Sequence, residues 1–266
     1  MACRNVNRGE EARKSIENEL NWSDLSVLKL DLADLSSVRE FTRTFIDREE
    51  RLDILINNAG LMAVPYQLTN DGFEMQFGVN YLGHFALTGL LYPILEETPG
   101  ARVINMCSLA YLFGRLDFGD LQSQRKYRKW GAYGQSKLAM LHFTSEFNRR
   151  EIRKGGGITV LSAHPGYAST KLILRGPEME KHEFAVSFFD FANRVAAQPA
   201  SKGILPALYA ASSENVEKGG FYGPDGLIGL HGYPVRIQPK KGRVNADDAK
   251  RLWDVSMNLT GIHWLD

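Results

Sequence analysis

The sequence predicts an α/β protein built on a doubly wound parallel sheet with helices on both faces. Three observations predict it. Short apolar runs alternate with longer helical patterns along the 266 residues. The connections between them are short, as in successive strand–helix–strand units. The runs at 52–56 and 158–161 are dominated by apolar residues, which fits strands buried on both faces.

The elements follow in order. Residues 26–32 (SVLKLDL) read as a strand. Residues 36–50 read as a helix, with Val38, Phe41, Phe45 and Ile46 on one face. Residues 52–56 form a second strand, running into Asn57, Asn58, Ala59 and Gly60. A long helix is expected over 73–96, bent or ended by Pro93. Residues 102–106 form a third strand, and 132–154 a helix stopped by three glycines from Gly155. Residues 158–163 form a fourth strand. A helix over 200–211 and a short last strand from 220–222 complete the reading. No repeat or low-complexity linker divides the chain, so 1–266 reads as one domain.

Composition narrows the function. Hydrophobic residues make up 44% and charged residues 24%, ordinary values for a soluble protein. The net charge of +1 argues against a nucleic-acid partner, whose surface would need a basic excess. Two cysteines, Cys3 and Cys107, imply no disulfide framework and suit a reducing compartment. The six histidines are scattered, and none pairs at metal-ligand spacing, so no metal site is expected. Residues 1–19 contain no apolar signal core, and the longest apolar stretch, 85–95, is too short to span a bilayer. A cytoplasmic location is therefore expected, and the glycosylation patterns at Asn21 and Asn258 read as chance matches.

In parallel sheets, ligands bind outside the carboxyl ends of the strands. Three expected strand ends carry polar or turn residues: Asn57 to Gly60, then Cys107 and Ser108, then His164, Pro165 and Gly166. Tyr133 and Lys137 stand at i and i+4 on the expected 132–154 helix, which puts a phenol and an ammonium on one face. A neighbouring ammonium favours phenolate and would lower the tyrosine pKa towards working pH. That suits a tyrosine acid/base. Tyr167 and Lys171 match the same spacing, but they follow Pro165 and Gly166 in a loop and read as coincidence.

Taken together, NNAG at 57–60, VNYLGHF at 79–85, VINMCSLA at 103–110, YGQSK at 133–137 and HPG at 164–166 resemble the short-chain dehydrogenase/reductase family. The GLHGYP tail followed by LWDVSMNLTG resembles its retinol-dehydrogenase-like branch. The resemblance implies a Rossmann-like domain and a nicotinamide-dependent oxidoreductase acting on a small-molecule alcohol or carbonyl. It implies Tyr133 as acid/base and Lys137 as the residue that holds the nicotinamide ribose and assists Tyr133. Ser108 would hydrogen-bond the substrate oxygen, and Asn80 would support a proton-relay water. Asn58, Ala59 and Gly60 would line the cofactor, with Pro165, Gly166 and Thr170 near the nicotinamide and Asp31 and Leu32 at the adenine. Arg4 stands where an acidic residue would bind ribose hydroxyls, which favours NADP over NAD. The resemblance also allows a homodimer or homotetramer.

One departure stands out. The family's glycine-rich TGxxxGxG turn, whose amides meet the pyrophosphate at a helix N-terminus, does not occur in the sequence. The opening residues resemble the end of the family's second strand. The family's central first strand, the phosphate turn and the first helix are therefore expected to be absent, leaving an N-terminally truncated sheet with neighbouring strands unpaired. Two readings result: an NADP(H)-dependent oxidoreductase, or a catalytically silent fragment with weak or no cofactor binding that serves as an interaction partner. Phe184, Phe188, Phe191 and Val195 recur at helical spacing after the Pro-Gly segment. They would suit a lipophilic substrate if they line the pocket, and otherwise pack on the core.

Overall fold

The computed structural model describes residues 1–20, 24–166 and 199–265. Tyr167, Thr170, Lys171 and the apolar run from Phe184 to Val195 lie outside the described residues. The elements in chain order are β1 (Ala2–Cys3), α1 (Val6–Leu20), β2 (Leu28–Lys29), α2 (Leu35–Ile46), β3 (Ile54–Asn57) and α3 (Met75–Phe77). A π-helical turn (Gly78–Leu82) leads into α4 (Gly83–Glu97) and β4 (Arg102–Met106), followed by a 3-10 turn (Leu109–Leu112). Then come α5 (Lys129–Lys154), β5 (Thr159–Ala163), α6 (Ala200–Gly203), α7 (Leu205–Ser212), β6 (Phe221–Pro224), β7 (Pro234–Ile237) and α8 (Ala246–Thr260).

Two sheets form among the described residues. β1 pairs with β2 in parallel, and β3-β4-β5-β6-β7 form a second sheet. β3 to β6 run parallel, while β7 returns antiparallel to β6. The expected parallel sheet is present in β3 to β6, and β7 adds an antiparallel edge strand after the 225–233 connection, with Val235 and Arg236 exposed and Pro234 and Ile237 half-buried. Where the family's strand order would place one continuous sheet, the ladder is interrupted between β1 and β3. Ile54 is 43% exposed and Ile56 40%, so the expectation that both faces of β3 are buried fails. β4 and β5 meet it, with Val103, Ile104, Val160 and Leu161 fully buried.

Local chemistry explains the helix ends. Asp34 caps α2, accepting from the amides of Ser36 and Ser37 at 2.8 and 3.3 Å. These bonds and those from Ser36 Oγ and Asn70 hold its carboxyl below the usual range. Val38 and Phe41 are buried and Phe45 packs beside them, but Ile46 faces outward, because α2 stops at Ile46. Gly155 ends α5 at φ 73°, a conformation open to glycine. Pro93 neither ends nor breaks α4, which continues to Glu97. Its ring lies on the exposed side, while buried Leu91, Ile94 and Leu95 pin the final turn from the other. Three elements had no counterpart in the sequence reading: α1, β7 and α8.

The main core lies between α4, α5 and α8. Trp253 and Trp264 meet at 4.5 Å between ring centroids, and Phe85, Phe143 and Phe147 pack around them. Arg150 stacks over Trp253 at 4.8 Å and donates to Glu146 at 2.7 Å, so a buried cation is doubly compensated.

The contrast between β3 and β4 gives a stability prediction. Ile54→Thr with Ile56→Thr should change unfolding free energy by no more than about 1 kcal/mol, because neither side chain is well buried. Ile104→Ala, in the fully buried β4, should cost roughly 2–5 kcal/mol. Urea unfolding of the three proteins measures both.

Candidate active site

Register brings the strand ends to one edge. Asn57 lies opposite Asn105, and Met106 opposite Ala163, so residues 58–60, 107–108 and 164–166 leave the sheet side by side. Beneath them runs a buried polar ladder. Asn57 Nδ2 donates to Asn105 Oδ1 at 2.8 Å and to Thr88 Oγ1 at 3.0 Å. Asn105 Nδ2 donates to Thr144 Oγ1 at 2.9 Å, and Ser162 Oγ donates to the same oxygen at 2.7 Å. This ladder fixes β3, β4, β5, α4 and α5 relative to one another.

α5 crosses this edge and presents Tyr133, Ser136 and Lys137, all buried. Lys137 Nζ donates to Met106 O at 3.1 Å and lies 5.9 Å from the Tyr133 ring centroid. Burial lowers the Lys137 pKa. Tyr133 hydrogen-bonds Ser108, and burial pushes its phenol up to about 12, against the lowering effect of Ser108. The expected ammonium-driven lowering of Tyr133 is thus corrected: the dry surroundings outweigh every charge, and the ammonium is turned to a backbone carbonyl. Ser108 also caps the following 3-10 turn through Ala110 N at 3.3 Å.

Asn80 sits in the π-helical turn and is fully buried. Its Oδ1 accepts from Leu61 N at 2.6 Å, and its Nδ2 donates to Leu61 O at 2.9 Å and Ser136 Oγ at 2.9 Å. Its amide therefore ties the loop after Gly60 to α5. His84, one turn on, donates from Nε2 to Ala59 O at 2.8 Å. The sequence reading gave His84 no role; its four-residue spacing from Asn80 was the available signal. His164 Nδ1 accepts from Gly166 N at 3.1 Å, and Gly166 takes φ 66°, with Leu230 O 2.3 Å from where a Cβ would stand.

The other expected cofactor residues are spread more widely. Asn58 and Ala59 are exposed at the edge and Gly60 is half-buried there. Arg4 is exposed just after β1. Asp31 Oδ1 accepts from Ala33 N at 3.0 Å and shapes the turn into α2, while Leu32 belongs to the main core. Pro165 and Gly166 follow β5.

A family model described as short chain dehydrogenase matches residues 1–180. This chain belongs to the short-chain dehydrogenase family. Retinol dehydrogenase 12 from Mus musculus is 39% identical over 265 residues, 99% of this chain and 78% of that protein. Retinol dehydrogenase 13 from Homo sapiens is 41% identical over 269 residues, 98% and 76% of the two chains. A crystal structure of an uncharacterised Mycobacterium Paratuberculosis protein is 38% identical with a TM-score of 0.77, covering 99% of this chain and 84% of that one. This short-chain dehydrogenase lies in the retinol-dehydrogenase-like branch and is an oxidoreductase of alcohols and carbonyls. Among its described residues no cluster of metal-ligand type occurs, and no helix is long and apolar enough to cross a membrane.

Two histidines of the dehydrogenase make its stability pH-dependent. Burial lowers His84 and His164 from the ordinary histidine value of 6.5 to about 4. The fold favours the neutral form, so their contribution is full above the unfolded value and is lost as pH falls from about 6.5 to about 4. Each should cost on the order of 3 kcal/mol across that window. Burial raises Glu74, which works in the opposite sense by favouring the protonated carboxyl on acidification. Urea midpoints at pH 7.5 and 4.5 should show a clear net loss. His84→Gln, which keeps an N–H of similar reach, should remove part of it.

Proposed function

We propose that the chain is an NADP(H)-dependent oxidoreductase interconverting a lipophilic alcohol and its carbonyl, with Tyr133, Lys137, Ser108 and Asn80 as its machinery. The observation that carries the reading is the buried Tyr133–Ser108 hydrogen bond beside Lys137 at the carboxyl edge of the sheet. The residues present fit a nicotinamide ribose: a Cβ at Gly60 would stand 3.0 Å from Asn80 Oδ1 and 3.6 Å from Lys137 Nζ, so the missing side chain leaves room against the ammonium. When bound, the cofactor supplies or accepts the hydride.

The protein's own groups handle the proton. Tyr133, kept protonated by burial, donates from its hydroxyl to the carbonyl oxygen in reduction and removes the proton in oxidation. Ser108 holds that oxygen. Lys137 has ammonium protons beyond the one given to Met106, available for the ribose hydroxyls and for stabilising a tyrosinate. Asn80 fixes the separation of Leu61 and Ser136, and on this reading it supports a relay water beside Lys137. Arg4 faces solvent, where it can meet a 2′-phosphate, which supports NADP over NAD. Retinol dehydrogenases among the relatives, together with exposed Phe113 and the Trp130 ring edge-on to Tyr133 at 6.2 Å, support a lipophilic substrate.

A second reading has one observation in its favour. The break between β1 and β3 falls where a pyrophosphate-binding turn would be expected, so cofactor affinity would be weak and the chain catalytically silent. Calorimetric titration with NADPH separates the two: micromolar binding supports the enzyme, and no detectable heat supports the silent reading.

Three outcomes test the first reading. Tyr133→Phe should lower turnover at least about 1,000-fold, the middle of the range for acid/base catalysis, without changing the circular dichroism spectrum. Substantial remaining activity in that variant removes the assignment. Arg4→Asp should narrow or reverse an NADPH preference measured as kcat/KM against NADH. Because burial holds the Tyr133 phenol well above its ordinary range, alcohol oxidation should rise with pH between 6 and 9, by up to about tenfold per unit, while carbonyl reduction stays nearly flat.

A further inference from the structure

We propose that Gln76 is a positioning residue that clamps the loop after Gly60 to the first turn of α5 and thereby aims Tyr133; the inference rests on the reading of Tyr133 as the acid/base. Gln76 is fully buried, and both ends of its amide are used. Oε1 accepts from Ala63 N at 2.7 Å. Nε2 donates to Tyr127 Oη at 2.8 Å and to Lys129 O at 2.9 Å. One side chain thus joins the 61–64 loop, the segment before α5 and the start of α5 itself.

Each partner matters for the site. The Lys129 carbonyl is the one that accepts the helical bond from Tyr133 N, four residues on, so Gln76 shares an acceptor with the tyrosine backbone. Ala63 takes φ 50°, a left-handed conformation that disfavours a residue with a Cβ. Such a residue persists when its surroundings over-determine it. Here Gln76 holds its amide, and Tyr127 Oη donates to the next carbonyl, Val64 O, at 2.6 Å. Two residues before Ala63, Leu61 is held by Asn80, four positions beyond Gln76 in the chain. The two amides act as parallel struts: Asn80 spans Leu61 to Ser136, and Gln76 spans Ala63 to Lys129. Glu74 fixes the strut's base by accepting from the amides of Gln76 and Phe77 at 3.0 and 2.7 Å.

The test compares Gln76→Met, which keeps volume and removes the hydrogen bonds, with the double variant Gln76→Met/Ala63→Gly, which also relieves the strained backbone. Amide hydrogen exchange is read at 61–64 and 129–133, alongside kcat and the KM for NADPH with a long-chain aldehyde. Gln76→Met should speed exchange roughly tenfold or more in both segments. It should lower kcat about 10- to 100-fold, with KM for NADPH changed by less than about threefold. The double variant should regain thermal stability while exchange at 129–133 and kcat stay impaired. Unchanged exchange at 129–133, or a double variant with parental kcat, overturns the proposal. Should Gln76→Met fail to fold, Tyr127→Phe removes one partner of the strut and should show the same pattern at smaller amplitude; parental exchange in both segments there overturns it equally. A Tyr133→Phe enzyme that still turns over, with the exchange pattern as expected, sinks the acid/base reading and leaves the clamp itself in place.

Discussion

Desolvation at the carboxyl edge of the sheet is the constraint on which the site depends. Tyr133, Lys137, Asn80 and His84 are all nearly inaccessible to water, and each would be costly to bury without a partner. The fold meets most of that cost with named bonds: Tyr133 to Ser108, Lys137 to Met106 O, Asn80 to Leu61 and Ser136, His84 Nε2 to Ala59 O, while His84 Nδ1 has no hydrogen-bond partner among the described residues. The same dryness that makes these bonds necessary makes them strong and directional. It also sets the chemistry, because it keeps the phenol protonated and the ammonium weakened.

Rigidity reaches the site from below and from the side. Below, the Asn57–Asn105–Thr144–Ser162 ladder locks three strands and the helix that carries Tyr133. From the side, the aromatic cluster around Trp253 and Trp264 presses α8 against α5. β3 differs from its neighbours: one of its edges has no strand partner among the described residues, and two of its isoleucines face outward. Its last residue is nonetheless held by the ladder, so the strand end that leads into Gly60 is fixed even where the strand body is exposed.

Much of this was legible in the sequence because its signals are local. β4 is expected at 102–106 and lies there, since Val103, Ile104 and Met106 fall between the turn residues Pro99 and Gly100 and the polar Ser108. Tyr133 and Lys137 were legible from helical spacing. What escaped needed tertiary information. Pro93 was expected to bend or end its helix, and it does not end it, because buried neighbours hold the turn around it. The lowered tyrosine pKa expected from the nearby lysine ignored burial, which no local pattern reports. Gln76, His84 and the asparagine–threonine ladder look like ordinary polar residues until the fold removes their water. α8 shows clear polarity along its length, yet only its aromatic partners on α5 reveal why it belongs to the core.

The central claim is that these buried groups form an alcohol–carbonyl site served by a nicotinamide. The most direct measurement is isotope transfer: incubate the chain with a long-chain aldehyde and NADPH deuterated at the transferable position, and weigh the product alcohol by mass spectrometry. The account predicts one deuterium in the alcohol from the parent protein and a strongly slowed appearance of it with Lys137→Met. An alcohol product without deuterium, or no product at all from the folded chain at saturating NADPH, would contradict it.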